Sequence, residues 1–283
     1  RRFQARLIVN AAGSWCDSVR MRLHRTLAPG VPDPAPLLRP SRGVHLVFPP
    51  LTRGHGLLMF APSDGRVFFA VPFAGHTLVG TTEIEVPSPV RCEDTRPSVE
   101  EVRYLRRALA RVLPAQAQSP VVAVTSGLRP LLASDGGVDG ASREHRVLEE
   151  GPVVTVAGGK YTTFRVMARD AVSLAARRLK RTQAPIQDSL EPLPRPLGAG
   201  HEVEALAEFA AGSEFARRIE DVIRRRTRLW LTPDRGRVAA PRVAAVLGRQ
   251  LGWSPERARD ELQAFHATLD EEDRLLARAR EEP

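Results

Sequence analysis

Nine residues in the middle of the chain constrain its fold most: Val156-Ala157-Gly158-Gly159-Lys160-Tyr161-Thr162-Thr163-Phe164. The apolar start predicts a buried strand, and the two glycines predict a tight turn into a helix. Glycine lets the backbone approach a ligand closely, and the first N–H groups of a helix have no intrahelical partners and therefore favour an anion. Lys160 adds a positive charge. The stretch predicts a cradle for an anion or cofactor; a glycine-tight turn without a ligand is the structural alternative.

The phosphate loop of nucleotide triphosphatases is the nearest competing motif, and it reads G-x-x-x-x-G-K-[ST]. In this chain Val154 stands at the first glycine position and Tyr161 stands at the hydroxyl position. The sequence therefore excludes a nucleotide-triphosphate loop at this turn.

In two upstream segments, an apolar run is also followed by small residues or by proline, whose backbone conformation is restricted. The first is Leu7-Ile8-Val9-Asn10-Ala11-Ala12-Gly13-Ser14-Trp15, and the second is Thr125-Ser126-Gly127-Leu128-Arg129-Pro130-Leu131-Leu132. The second places Arg129 close to both a glycine and a proline, which restrict the backbone around it.

In this order, the three segments resemble the FAD-dependent glycerol-3-phosphate dehydrogenases of the flavin-dependent amine and hydroxy-acid oxidoreductase superfamily. The resemblance covers nearly the whole chain. That family carries the pattern Asn-Ala-Thr-Gly-x-Trp near its flavin, and Asn10, Ala11, Gly13 and Trp15 match it. Ala12 stands in the threonine position, which removes a hydroxyl and any hydrogen bond that it would make.

The resemblance implies FAD as the cofactor and glycerol 3-phosphate as the substrate. The family's Gly-Gly-Lys-x-Thr-Thr segment closes over the isoalloxazine ring and the substrate, and its Ser-Gly-x-Arg-Pro-Leu segment supplies a substrate arginine. The residues implied to contact the cofactor are Ala11, Gly13, Trp15, Gly158, Gly159, Lys160 and Thr162.

Oxidation of an alcohol beside a phosphate also needs cations to hold the substrate. By resemblance, Arg129 binds the alcohol oxygen and favours its deprotonated form; a surface salt bridge is the alternative. Arg143 matches a family arginine assigned to the substrate phosphate, which a guanidinium can bind through paired hydrogen bonds. Its alternative is a solvated charge beside Glu144. Lys160 is expected to span the flavin and the substrate.

His45 is the candidate proton acceptor, in the segment Ser41-Arg42-Gly43-Val44-His45. An imidazole titrates near working pH and can take the proton of the hydroxyl. The family has a histidine at this position of a Lys-Gly-x-His-like segment, with Arg42 here in the lysine position. Lys160 or Arg129 would also polarise the hydroxyl, and the spacing of these residues does not distinguish them from His45. The remaining alternative is that His45 has only a structural role.

The family's first βαβ unit, which holds the FAD pyrophosphate on a helix N-terminus, has no match in this chain. No G-x-G-x-x-G follows a strand, and the first residue is Arg1. We therefore expect the chain to be the C-terminal portion of a longer enzyme, or a truncated gene product, which does not retain FAD tightly by itself.

Hydrophobic periodicity predicts the rest of the fold. Short runs separated by turn residues predict an antiparallel meander, and Ser98-x-x-Glu101 predicts the capped start of a helix before Pro114. The predicted strands are 46–48, 57–60, 67–71, 77–80, 121–125 and 153–157, and the predicted helices are 98–113, one that begins at 163, 204–226, one that begins near 232, and 254–280.

These elements predict an α/β (α+β) chain: a partial FAD-binding fold with a largely antiparallel substrate-domain sheet, followed by a small all-helical C-terminal domain. The expected boundaries are 1–180 for the flavin-binding and substrate (cap) domain, 181–200 for a Pro/Gly-rich linker and 201–283 for the helical domain.

Charge and composition limit the classes of molecule that the chain is expected to bind. The net charge is +9, but the arginines are spread along the whole chain and only 5% of the residues are aromatic, which argues against nucleic acid. No apolar run reaches the length of a membrane span. Two cysteines, Cys16 and Cys92, form neither a disulfide framework nor a metal-ligand spacing, so we expect no metal and a reducing cytoplasm.

The expected reaction, by resemblance, is FAD-dependent oxidation of sn-glycerol 3-phosphate to dihydroxyacetone phosphate, with electrons passed to a quinone at the inner face of the cytoplasmic membrane. A flavin oxidase of an amino or hydroxy acid, and a truncated non-catalytic binding module, are the alternatives. Arg224 to Trp230 would suit a lipid interface, but a solvated helix end or a homodimer contact is the favoured interpretation. Gly80 to Glu83 form a further small-residue turn at a strand end, of a kind that recurs in the family's substrate domain. A turn without a functional role is the favoured interpretation.

Overall fold

The structure is a computed structural model that describes residues 4–116, 118–133, 144–181 and 200–280. The chain forms two compact units. The first consists of residues 1–43, 82–96 and 126–189, and the second of residues 44–81, 97–125 and 190–283. Each unit therefore combines segments that are far apart in the sequence.

Within the described residues, the strands are β1 (Ile8–Asn10), β2 (Ser41–Phe48), β3 (Leu57–Phe60), β4 (Val67–Phe73), β5 (His76–Gly80), β6 (Ile84–Glu85), β7 (Ala123–Arg129), β8 (His145–Glu150) and β9 (Val153–Gly158). The α-helices are α1 (Cys16–Leu27), α2 (Val99–Val112), α3 (Phe164–Arg178), α4 (Val203–Ser213), α5 (Ala240–Leu251) and α6 (Pro255–Arg280).

The first unit is organised around β9. This strand lies between β1, which runs parallel to it, and β8, which runs antiparallel. All six residues of β9 are buried, which explains its continuous apolar character. Val154 and Val156 pack with Ala171 of α3, so the helix covers one face of this sheet.

A charged contact fixes α1 in the same unit. Arg20 donates to both carboxylate oxygens of Glu150 at the end of β8, with a shortest distance of 2.6 Å, and also to the carbonyl oxygen of Ala35. The Arg20 side chain is only 10% exposed. Because a buried charge without a partner is costly, this contact strongly favours one position of α1 on the sheet.

The second unit contains an antiparallel sheet in the order β3-β4-β5-β2. Asp64-Gly65 and Ala74-Gly75 form the two hairpin turns, with Gly65 and Gly75 in the left-handed backbone region. The predicted antiparallel meander is confirmed, and β2 joins it beside β5.

One face of this sheet is covered by α2. The helix begins with the predicted capping box, in which Ser98 Oγ accepts the Glu101 N–H and the Glu101 carboxylate accepts the Ser98 N–H. Val102, Leu105 and Leu109 are buried against the sheet, where they form part of the largest core of the unit.

The C-terminal helices have a second core, in which α4 and α5 pack with the first half of α6. Phe265 and Leu269 of α6 belong to this core, whereas Leu276 and Ala279 near its end belong to the core of the sheet and α2. A helix of 26 residues is about 39 Å long, which is enough to reach both. No helix among the described residues is long and apolar enough to cross a membrane.

The single helix predicted over 204–226 is wrong. Helix α4 ends at Ser213, Phe215 takes a left-handed backbone conformation with φ +60°, and Asp221–Arg226 form a π-helical turn. A left-handed residue cannot continue a right-handed helix, so the chain turns there.

The start of the next helix is also corrected. It begins at Ala240 rather than near residue 232, because Arg235 and Gly236 have positive φ angles of 53° and 82°. The predicted linker lies almost entirely in residues 182–199, outside the described residues. The domain boundaries stay a prediction.

The segment from Arg224 to Trp230 is engaged within the second unit. Arg224 forms an ion pair of 2.5 Å with Glu272 and donates to the carbonyl oxygen of Val124. Its guanidinium lies 5.9 Å from the ring of Trp230, which in turn contacts Phe73. At least these two residues of the segment therefore serve internal packing.

Replacing Leu105 with alanine tests the α2 core. Leu105 is fully buried, so Leu105→Ala should lower the free energy of unfolding by about 2 to 5 kcal/mol, as measured by urea denaturation. Val112→Ala in the same helix, at a side chain that is 36% exposed, should change it by only about 0.5 kcal/mol. Equal effects of the two substitutions would contradict the described packing.

Candidate functional site

Two of the predicted site segments follow neighbouring parallel strands. Asn10 at the end of β1 pairs with Thr155 of β9, and β9 continues to Gly158. The carboxyl ends of β1 and β9 therefore lie at the same edge of the sheet. In α/β folds, ligands bind at such an edge.

The third segment joins them through the end of β7. Ser14, in the turn after β1, donates its hydroxyl to the carbonyl oxygen of Leu128, at 3.0 Å, immediately before Arg129. Leu132 packs with Cys16, Leu38 and Ala157 in a small core. The structure thus brings together the segments of Gly13 and Trp15, of Arg129, and of Gly158 to Lys160, all within the first unit.

The two glycines of the central turn are required by the fold itself. Gly158 and Gly159 have φ angles of +74° and +82°. A Cβ on Gly158 would lie 2.5 Å from the carbonyl oxygen of Glu144, and one on Gly159 would lie 2.4 Å from the sulfur of Met167. These glycines therefore keep α3 and the start of β8 close to the turn, whether or not a ligand binds there.

The capacity of the turn to bind a ligand comes from its outer residues. Every residue from Lys160 to Val166 is exposed, and Tyr161 is 93% exposed. The rings of Tyr161 and Phe164 lie 6.0 Å apart. The turn therefore presents a cation and two aromatic rings to solvent at the carboxyl end of a buried strand.

The turn after β1 exposes one side and buries the other. Buried Asn10 donates to the carbonyl oxygen of Cys16 at 3.0 Å, which fixes the turn. Ala11, Gly13 and Trp15 are exposed, and Gly13 has a φ of +57° with no protein atom within 4 Å of the point where a Cβ would lie. These three residues, predicted to contact the cofactor, therefore present an open surface.

Arg129 ends β7 with its side chain 30% exposed. Its guanidinium lies 3.4 Å from the carbonyl oxygen of Thr82 and 3.9 Å from the carboxylate of Glu83. Thr82 and Glu83 belong to the small-residue turn for which the sequence favours a plain turn. Their contact with Arg129 spans more than 40 residues, so no local sequence signal could have revealed it.

A histidine and an aspartate link the two elements that lie next to the glycine turn. His145 Nε2 lies 2.9 Å from Asp170 Oδ2, which links the start of β8 to α3. The hydrogen bond from His145 lowers the pKa of Asp170, with a smaller contribution from the charge of Arg169. Sequence reasoning missed this pair, because its two members are 25 residues apart and belong to different elements.

His45 lies in β2, in the second unit, where it is opposite Gly80 of β5. Its ring is half-buried and lies 5.6 Å from the ring of Phe69. A Cβ on Gly80 would lie 2.3 Å from Cδ2 of His45, so the absence of a side chain at Gly80 makes room for the imidazole.

Arg143 lies outside the described residues, and its role stays a prediction. Burial raises the pKa of the Cys16 thiol to about 12, so this cysteine stays protonated and is a poor nucleophile. No group of three or more His, Cys, Asp or Glu side chains within the described ranges has the arrangement of a metal site.

Comparison with protein families agrees with this architecture. The profile of the family described as FAD dependent oxidoreductase matches residues 1–174, more than half of the chain. The profile described as the C-terminal domain of alpha-glycerophosphate oxidase matches residues 173–258.

Individual relatives carry related names. A mitochondrial glycerol-3-phosphate dehydrogenase of Arabidopsis thaliana is 35% identical over 66% of this chain and 29% of its own length. A probable mitochondrial glycerol-3-phosphate dehydrogenase of Dictyostelium discoideum is 28% identical over 92% of this chain and 49% of its own. The chain thus spans about half the length of these relatives, or less.

A solved structure shares the fold. The glycerol-3-phosphate dehydrogenase of Bacillus halodurans, complexed with FAD, superimposes with a TM-score of 0.72 over 94% of this chain and 62% of its own, at 20% identity. At this identity the likeness establishes the fold. It confirms the predicted mixed α/β architecture, with an antiparallel sheet and a helical C-terminal part.

Replacing Gly158 tests the turn. Gly158→Ala forces a left-handed alanine against a backbone oxygen, so it should lower the free energy of unfolding by about 2 kcal/mol or more, as measured by thermal denaturation. Gly212→Ala, in α4 with open space around the new methyl group, is the matched control and should cause no loss. An unchanged stability of Gly158→Ala would refute the described turn.

Replacing Gly80 tests the position of His45. Because the new methyl group would overlap the imidazole, Gly80→Ala should rotate the His45 ring and shift its ring resonances in an NMR spectrum. Gly127→Ala, in β7 with no atom within 4 Å of the added Cβ, should leave those resonances in place. Unshifted resonances in Gly80→Ala would contradict the packing of His45 on β5.

Proposed function

Because this chain belongs to the FAD-dependent oxidoreductase family, we propose that it acts in the oxidation of sn-glycerol 3-phosphate to dihydroxyacetone phosphate. The observation that carries the proposal is the presence of the Arg129 segment and the Gly158-Gly159-Lys160 turn in one unit, in a chain whose residues 173–258 match the C-terminal domain of alpha-glycerophosphate oxidase. The names of the relatives support the same substrate.

The proposed site supplies cations for an anionic substrate. When FAD is bound, it supplies the acceptor for the hydride that leaves carbon 2 of the substrate. Arg129 binds the hydroxyl oxygen at that carbon and stabilises the negative charge that develops there as the proton departs. The Ser14 contact with Leu128 fixes the backbone beside Arg129, and contacts with Thr82 and Glu83 hold its guanidinium.

Lys160 and Arg143 hold the phosphate end of the substrate in this proposal. Lys160 is exposed at the start of the turn, and a compact ammonium binds a phosphate oxygen as a point charge. Arg143 adds a planar fork that binds two phosphate oxygens. The role of Arg143 rests on the family resemblance.

The proton of the substrate hydroxyl goes to His45 in this proposal. Imidazole suits this role because it accepts a proton near neutral pH. The assignment rests on the family resemblance, and the packing of the ring against Phe69, in the space that Gly80 leaves, supports a fixed position for it.

A flavin oxidase that acts on an amino or hydroxy acid would use Arg129 for a carboxylate. The match of residues 173–258 to the glycerophosphate oxidase domain favours the phosphorylated substrate instead. On the basis of the family resemblance, we propose a quinone as the electron acceptor. Because quinones dissolve in the membrane, the same proposal includes contact with its cytoplasmic face. Reoxidation of the reduced protein by a soluble quinone but not by oxygen would support that part.

Substrate reduction of the flavin tests the proposed reaction. Under anaerobic conditions and with excess FAD supplied to the protein, glycerol 3-phosphate should bleach the flavin absorbance, whereas amino acids should not. Arg129→Gln should slow this bleaching by about 100-fold, because it removes the charge that stabilises the alkoxide. Arg22→Gln, at an exposed arginine of α1, is the control and should behave as the unaltered protein. Bleaching by an amino acid alone would overturn the substrate.

Replacing His45 tests the proton acceptor. His45→Asn should lower turnover by about 100-fold or more while the flavin spectrum stays the same, and it should remove the rise of the rate with pH that a histidine base produces. His55→Asn, at an exposed histidine of the same unit, should change neither the rate nor its pH profile. Undiminished turnover of His45→Asn would exclude it as the base.

A further inference from the structure

Helix α2 has a second face that lines a cleft of about 540 Å³ in the second unit. Residues at helical spacing form this face: Glu100, Arg103, Tyr104, Arg107, Ala108 and Arg111. The opposite wall is the β3–β4 turn, with Pro62 and Ser63. The volume lies in the range of small-molecule binding sites.

The cleft is cationic. Three arginines, Arg103, Arg107 and Arg111, follow one another at intervals of one helical turn, so they span about 12 Å along the helix axis. Glu100 is the single carboxylate among the lining residues and lies at one end of the row. The small side chain of Ala108 leaves space between the arginines.

Asp64, which follows Ser63 in the β3–β4 turn, is hydrogen-bonded to α2. Asp64 accepts a hydrogen bond from the Tyr104 hydroxyl at 3.0 Å and lies 3.7 Å from Arg66. Burial and this hydrogen bond raise the pKa of Tyr104 to about 12, so the hydroxyl stays protonated and keeps the turn attached to α2. Asp64 therefore fixes the wall of the cleft.

Further positive charge lies elsewhere on α2 and at the end of α6. Burial and the nearby charge of Arg280 lower the pKa of Arg106, on the same helix. Arg103 donates to the carbonyl oxygen of Arg278 at 2.9 Å, which brings the arginine-rich end of α6 against α2. Like charges held this close favour the binding of an anion.

We propose that this cleft binds a small ligand with two or more phosphate groups. Guanidinium groups bind phosphate oxygens in pairs, and a row of three suits anionic oxygens spread along a chain better than a single phosphate. Ser63 adds a hydroxyl donor on the opposite wall. The cleft includes none of the residues assigned to the oxidation reaction, so the two sites are tested independently.

Calorimetric titration with sodium tripolyphosphate tests the proposal. The chain should bind it more tightly than orthophosphate, and excess glycerol 3-phosphate should not displace it. Arg107→Gln should weaken the affinity by about tenfold, and Arg107→Gln combined with Arg111→Gln by about 100-fold, because each removes a charge-assisted hydrogen bond. Arg129→Gln should leave the affinity unchanged.

Two further variants separate a specific site from general attraction or misfolding. Arg259→Gln, at an exposed arginine of α6, removes the same charge elsewhere and should leave tripolyphosphate binding unchanged. Glu100→Gln should tighten binding about two- to fivefold, because it removes the one lining carboxylate. A misfolded variant would not gain affinity.

Several results would overturn the proposal. Unchanged binding in the double variant, or an equal loss in Arg259→Gln, would reduce it to a general effect of the positive net charge. Tripolyphosphate binding no tighter than orthophosphate, together with arginine-dependent binding to phosphatidylglycerol vesicles, would assign the row to a lipid surface instead.

Discussion

The burial of β9 between two strands is the constraint on which the first unit depends. All six of its residues are buried, and the turn at its end needs glycine twice, because Gly158 and Gly159 have positive φ angles and a Cβ on either would collide with Glu144 or Met167. A strand that is buried on both faces cannot shift its register without exposing apolar side chains. The turn at the end of β9 is therefore held in one place, and Lys160 follows directly from it.

Arginine has several structural roles in this chain. Arg20 and Arg235 are almost fully buried, and each is paired with carboxylates. Arg224 joins the C-terminal helices to β7 through Glu272 and the Val124 carbonyl. The charges of these arginines are therefore matched within the chain. Three further arginines, on α2, line a cleft in the second unit.

Local signals predicted the elements whose patterns are strong. The capping box of Ser98 and Glu101 predicted the start of α2, and the Asp64-Gly65 turn predicted the β3–β4 hairpin. Sequence reasoning missed α1 and β8, since about half of α1 is polar or charged and β8 carries charged residues along its length. Both elements gain their stability from contacts with β9 and from the Arg20–Glu150 ion pair, which no local pattern contains.

The sequence by itself determined the family resemblance, because the segments that carry Asn10, Arg129 and Lys160 each match a family pattern and follow one another in the family's order. It also determined that β9 is buried, since its apolar run is continuous. Only the tertiary structure decided that Ser14 meets Leu128, that Thr82 and Glu83 contact Arg129, and that Gly80 makes room for His45. These contacts join residues separated by 35 to 114 positions, and their geometry depends on how the strands pair rather than on any local preference.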